Sequence, residues 1–139
     1  MRPDMLRYLL VGDPHVTVEE LGDCEVLVNA IATALKAEGR VDAVVLLGDL
    51  HHNHAIVHVD VIAFWRRALY RLLESVPRVI VLRGNHDAPT SGSTAHALMA
   101  YAEIPGVVVV DRPMVIDGLA FVPYTSDREE FVAACRGLD

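Results

Sequence analysis

Three short apolar runs, Leu6 to Val11, Val41 to Leu47 and Val79 to Leu82, each stop on a turn: Gly12-Asp13-Pro14-His15, Gly48-Asp49 and Gly84-Asn85-His86-Asp87. Runs of this length and uniformity read as strands buried on both faces, the habit of parallel sheets. The turn residues recur evenly, with Asp13, Asp49 and Asn85 lying 36 positions apart (49 − 13 = 85 − 49). That interval suits successive βα units of about 30 or more residues. It is a repeat of topology only, because the intervening sequences do not match.

The segments between the runs carry helical spacing. From about Glu20 to Glu38, Cys24, Leu27, Val28, Ile31 and Leu35 fall on one stripe, and Gly39 stops the helix. Thr17-Val18-Glu19-Glu20 fits a capping box, and Asp23 is an equal candidate for the N-cap. Val59 to Glu74 reads as a second helix with Trp65 on its apolar face, broken by Pro77. A short helix is expected around Thr94 to Ala102, then a strand over Val107 to Val110. Met114 to Ile116, Asp117-Gly118 and Leu119 to Val122 read as a hairpin, followed by a last helix from near Asp127. The expected class is α/β with a parallel sheet at its start.

Composition narrows the partners. The chain has 139 residues, 12 Lys plus Arg against 19 Asp plus Glu, and a formal charge of −7. An acidic surface is a poor non-specific binder of nucleic acid unless bound cations reverse its sign locally. Cys24 and Cys135 match no metal or redox spacing. No apolar run approaches a membrane span, and the start carries no cleavable leader pattern, so a cytoplasmic protein is expected. Apolar residues make up 53% of the chain, slightly above the usual share, which points to deep burial or to a face that a partner covers.

The chemistry lies at the strand ends. In parallel α/β sheets ligands bind beyond the carboxyl ends of the strands, and neighbouring strands are about 4.8 Å apart. Asp13 and His15 can both face one pocket only if the strand has already bent, which Pro14 favours. The donors are carboxylate, amide and imidazole without thiolate, a set that suits manganese, iron or zinc better than calcium. Asp49, on the middle strand, is placed to bridge two ions about 3.5–4 Å apart, the arrangement of two-metal phosphoryl chemistry.

Asp-x-His, Gly-Asp and Gly-Asn-His-Asp, in this order after apolar strands, resemble the signature of the calcineurin-like metallophosphoesterases. The resemblance implies the N-terminal half of that family's αββα sandwich, as one truncated domain over residues 1–139. It implies two divalent ions, Mn2+ foremost and Fe2+ or Zn2+ next. Asp13 and His15 would ligate the first ion, Asp49 would bridge, and Asn85 would ligate the second. His86 would serve the phosphate or the leaving oxygen, with Asp87 holding its imidazole. Gly12-Asp13-Pro14-His15, Gly48-Asp49-Leu50-His51-His52 and Phe121-Val122-Pro123-Tyr124 narrow the resemblance to DNA-repair nuclease subunits, bacteriophage forms especially, that pair with a coiled-coil ABC-type ATPase. DNA is then the expected substrate, in a bacterial cytoplasm, that of a phage-infected host included.

The family pattern also asks for three later histidines, and after Asp87 only His96 is present. A fragment of a larger enzyme and a short homologue that borrows ligands both fit. So does a metal-binding or assembly module, and so does a small-molecule phosphoesterase. A chain lacking the second half is expected to expose an apolar sheet face and to self-associate or hold a partner chain there. Arg83, His51 and His52 are candidates for substrate contact. Against that, His51, His52, His54 and His58 also read as ordinary loop and helix-start residues, Arg66, Arg67 and Arg71 as a solvated helix face, and His96 as a packing residue.

Overall fold

A computed structural model describes residues 5–138. Four strands, β1 (Tyr8–Val11), β2 (Ala43–Leu46), β3 (Val79–Leu82) and β4 (Val107–Val110), form one sheet in chain order, and every pairing is parallel. β5 (Met114–Ile116) and β6 (Leu119–Phe121) form a separate antiparallel hairpin. The α/β class and the late hairpin are as expected.

Consecutive parallel strands joined by right-handed crossovers place their helices on one side of the sheet. Accordingly α1 (Leu21–Glu38) and α2 (Val59–Leu73) share a core with Val44, Leu46, Val79 and Val81. Val28 and Leu35 of α1 and Phe64, Trp65, Leu69 and Leu72 of α2 are almost fully buried there. Each such side chain contributes about 1.5–3 kcal/mol relative to exposure. A 3₁₀ turn, Ala97–Tyr101, closes this layer with Leu98 and Tyr101.

The opposite face is covered by the hairpin: Met114, Ile116 and Phe121 pack on Ala43, Val45, Ile80, Val108 and Val110. Asp117 and Gly118 both have positive φ, as a tight hairpin turn requires. The Asp117 carboxylate accepts from the Tyr8 hydroxyl at 3.0 Å and pairs with Arg78, which ties the turn to the sheet. Beyond the hairpin, Leu10 of edge strand β1 remains 60% exposed on this face.

Several boundaries differ from expectation for local reasons. β2 starts at Ala43 because the Asp42 carboxylate accepts the Arg7 amide at 2.7 Å and so closes the strand's entry. α1 begins at Leu21 after Glu20, so neither Thr17 nor Asp23 is its N-cap; the Thr17 hydroxyl donates to the Glu20 carboxylate instead. The expected helix over Thr94 to Ala102 is the shorter 3₁₀ turn, since His96 is extended. Its ring is buried, with Nε2 3.1 Å from the Asp111 carboxylate, so it is a packing residue. The final helix, α3 (Arg128–Arg136), is capped by Asp127, whose carboxylate accepts from the amides of Glu129 and Glu130. Cys24 is buried, Cys135 is exposed, and both are free thiols.

Candidate metal centre

The sheet delivers three loops to one end. β1 and β2 stay paired to Val11 and Leu46, separate, and join again where Val16 bridges His51. Between the two pairings, the His15 amide donates to the Asp49 carbonyl at 2.8 Å and the Val16 amide to that of Leu50 at 3.0 Å. The loop bearing Asp13 and His15 is therefore clamped along the loop bearing Asp49.

The backbone is bent where the donors sit. Asp13, His15 and Asp49 have φ of 38°, 45° and 51°, a region that costs a non-glycine residue on the order of 1 kcal/mol or more. The bend after β1 answers the requirement that Asp13 and His15 share a pocket. Their ligand atoms and one from Asp49 lie within 4.8 Å of one another. His15 Nε2 is 3.4 Å from Asp49 Oδ2.

The third loop packs against Asp49 through two glycines. A Cβ on Gly48, which has φ of 104°, would lie 2.9 Å from the Gly84 Cα. A Cβ on Gly84 would collide with the Asp49 amide nitrogen and carboxylate. This closeness lets the His86 amide donate to Asp49 Oδ1 at 2.7 Å. The His86 ring then reaches the same space, its centroid 4.7 Å from that of His15.

Asp87 organises these loops from beneath, and this corrects its expected role. It is fully buried, and its contacts are with other groups than the His86 imidazole. Oδ2 accepts the amides of Gly84 at 2.8 Å and Asp49 at 2.9 Å. Oδ1 accepts the His51 amide at 3.3 Å and lies 3.0 Å from His51 Nδ1. A carboxylate only accepts, so in neutral His51 the proton sits on Nδ1 and Nε2 accepts from the Tyr101 hydroxyl, 2.8 Å away. Burial pushes the Asp87 carboxyl pKa upward, but the hydrogen bonds from the His51 ring and the Gly84 amide outweigh it and the net shift is downward. Burial foremost, with the Asp87 charge, raises the Tyr101 pKa and keeps its hydroxyl a donor.

Two further expectations change. His51 was a candidate for the substrate groove, but it is 1% exposed and committed to Asp87 and Tyr101. Arg83 was a candidate for phosphate contact, but its guanidinium donates to the carbonyls of Ser91 and Ser93 at 2.6 and 3.0 Å and holds the following loop. His52, by contrast, is exposed, and its ring centroid is 5.7 Å from that of His15 and 5.5 Å from that of His86. Asn85 is half-buried in the same turn as His86. Tyr101 lay in an apolar stretch with no motif around it, and only its burial beside His51 reveals its part. Trp65 is core, as expected, and its indole nitrogen donates to the Leu50 carbonyl at 3.0 Å, bracing the residue between Asp49 and His51.

The residues present fit a divalent metal. Carboxylate and imidazole atoms converge, and His15 Nδ1 is a buried nitrogen without a hydrogen-bond partner. Among the described residues no helix is long and apolar enough to cross a membrane. Among curated proteins, none matches the chain. The family model for calcineurin-like phosphoesterases matches residues 6–132. That match runs from the first strand into the last helix and takes in all three donor-bearing loops, so the chain belongs to the calcineurin-like phosphoesterases, whose chemistry is metal-dependent phosphoester hydrolysis.

Proposed function

We propose that the chain hydrolyses phosphodiesters with two divalent ions, manganese foremost, as a DNA nuclease subunit. The observation that carries this reading is the convergence of Asp13, His15 and Asp49 at the ends of two parallel strands, with the Asn85-His86 turn of a third strand pressed against Asp49. Asp13 and His15 would hold one ion, Asp49 would bridge, and Asn85 would serve the second. A bound pair supplies positive charge for the phosphoryl oxygens and a more acidic water for attack on phosphorus.

The chain's own groups do the rest. The His86 ring has Nδ1 2.5 Å from the His52 carbonyl, which can only accept, so Nδ1 carries the proton of the neutral ring. Nε2 is left to take a proton from the medium and pass it to the leaving oxygen. Asp87 keeps the Asp49 and Gly84 amides in place and acts as a positioning residue.

DNA as substrate rests on the narrower resemblance. The Phe121-Val122-Pro123-Tyr124 segment that carries part of it lies beside the third loop, with the Tyr124 amide donating to the Arg83 carbonyl at 3.0 Å. A second chain, either a coiled-coil ATPase subunit or another copy, rests on the resemblance alone, because the hairpin covers most of the sheet face that was expected to be open and leaves Leu10 exposed beyond it. The test is manganese-dependent hydrolysis of a generic phosphodiester, with Asp49→Ala as control. Activity that disappears in the control is the expected result, and activity that survives it refutes the site.

A further inference from the structure

The ring of His52 faces the same space as His15 and His86, and apart from its candidacy for substrate contact it has been given no part. One ring nitrogen from each of these three histidines lies within 4.8 Å of the others. This is a second group, distinct from Asp13, His15 and Asp49, and it is built wholly of imidazole. We propose that His15, His52 and His86 form a three-imidazole site for a borderline-soft divalent ion of the zinc class, with the fourth position open to solvent or ligand.

Four observations support it. First, zinc binds imidazole at about 2.0–2.1 Å, which sets tetrahedral nitrogen separations of about 3.4 Å. The ring nitrogens need to close by at most roughly 1.4 Å from the 4.8 Å outer limit of their present spacing, and His52 is exposed. Second, the His52 carbonyl accepts from His86 Nδ1–H, which leaves the Nε2 lone pair free. An outward hydrogen bond of this kind is the usual support of a ligating histidine. Third, His54 packs on the His86 ring with centroids 3.9 Å apart and limits its rotation. Fourth, the donor chemistry selects the ion: imidazole suits zinc, nickel and copper, whereas carboxylate suits manganese and magnesium.

The two groups share His15. A neutral imidazole has one lone pair to give, so an ion in one group denies that ring to the other. Hard and borderline ions therefore compete across His15 while depending on different remaining ligands. The inference goes beyond the hydrolytic reading, and its test does not use turnover.

The experiment is calorimetric titration of the full chain with Zn2+ and separately with Mn2+, together with the visible spectrum of the Co2+ form as a report of coordination geometry. The variants are His52→Ala and Asp13→Asn. His52→Ala removes only a ring, because the hydrogen bonds of His52 to Val16 and His86 use its backbone. A thermal melt checks that the fold is kept. The expected result is that His52→Ala weakens Zn2+ by at least the roughly 10–100-fold that loss of a mere outer-shell partner costs. It should also change the cobalt spectrum and leave Mn2+ affinity as it was. Asp13→Asn should do the reverse. If His52→Ala leaves Zn2+ affinity unchanged, or if Asp13→Asn weakens Zn2+ as much, the ion sits in the acidic group and the proposal is overturned. Absence of manganese-dependent hydrolysis by the unaltered chain, measured separately, would refute the hydrolytic reading and leave this inference standing.

Discussion

Removing the carboxylate of Asp87 should damage the fold before it damages any chemistry. In Asp87→Ala four donors lose their acceptor: the amides of Asp49, His51 and Gly84, and the ring N–H of His51. A buried donor left unanswered costs about 1–3 kcal/mol, and water can reach the part-buried ones, so about 1 kcal/mol each gives roughly 4 kcal/mol. That is a large share of the ~5–15 kcal/mol that holds a domain together. Asp87→Asn should be much milder. Its oxygen can keep the Gly84 and Asp49 amides while its new NH2 faces His51. The His51 ring can answer by moving its proton to Nε2, with the Tyr101 hydroxyl turning to accept. The His51 amide, already at 3.3 Å, is then opposed by a donor and the buried Tyr101 hydroxyl proton loses its acceptor, for a cost of about 2 kcal/mol. Urea unfolding measures both variants. The single tryptophan, Trp65, reports locally because its indole is bonded to Leu50 between two of the affected residues. An Asp87→Ala protein within about 1 kcal/mol of the parent would refute the reasoning. So would equal damage from the two variants, because the argument turns on what an amide can still accept.

Two other outcomes follow from the same geometry. Gly84→Ala drives a methyl into the Asp49 amide and carboxylate, so it should cost more than the ~1–3 kcal/mol of ordinary overpacking and weaken Mn2+ binding, read by melting temperature and titration. Asp42 has a lowered pKa, chiefly from the Arg7 amide, so its contribution to stability is present above the ordinary aspartate value of 3.8 and is lost as pH falls through the folded value. Asp42→Asn should therefore flatten the fall of melting temperature on the acid side of that value; an unchanged slope counts against it.

Much of the scaffold was legible because buried parallel strands write themselves as apolar runs. β3 and β4 fall where Val79 to Leu82 and Val107 to Val110 predicted them. The donors at the strand ends were legible too, since Asp13, His15 and Asp49 are brought together as the turn spacing implied. What escaped was every feature set by three-dimensional approach. A sequence pattern assigns Asp87 to its neighbour His86, yet adjacent side chains leave a tight turn in different directions. The amides that claim Asp87 come from a loop nearly 40 positions earlier as well as from its own turn. The His51-His52 pair shows the same limit. One ring is buried on Tyr101 and the other is exposed over the site, and a doublet of identical residues gives no sign of which is which. Arg83 looked like a phosphate ligand by proximity to Gly84, but its two terminal nitrogens donate to the Ser91 and Ser93 carbonyls.

The in-register pairing of Val11 with Leu46, and of Leu46 with Val81, also works as a ruler. It measures where each donor leaves the sheet, independently of how much chain returns along the helices. Extra turns in α1 or α2, or longer connections at their far ends, would leave the donor loops where they are. A single deletion within Ala43–Leu46 would slide Asp49 by about 3.3 Å and turn the strand's side chains to the wrong faces. Over generations, such a chain is free to change the length of its helices and is held strictly to the length of its strands.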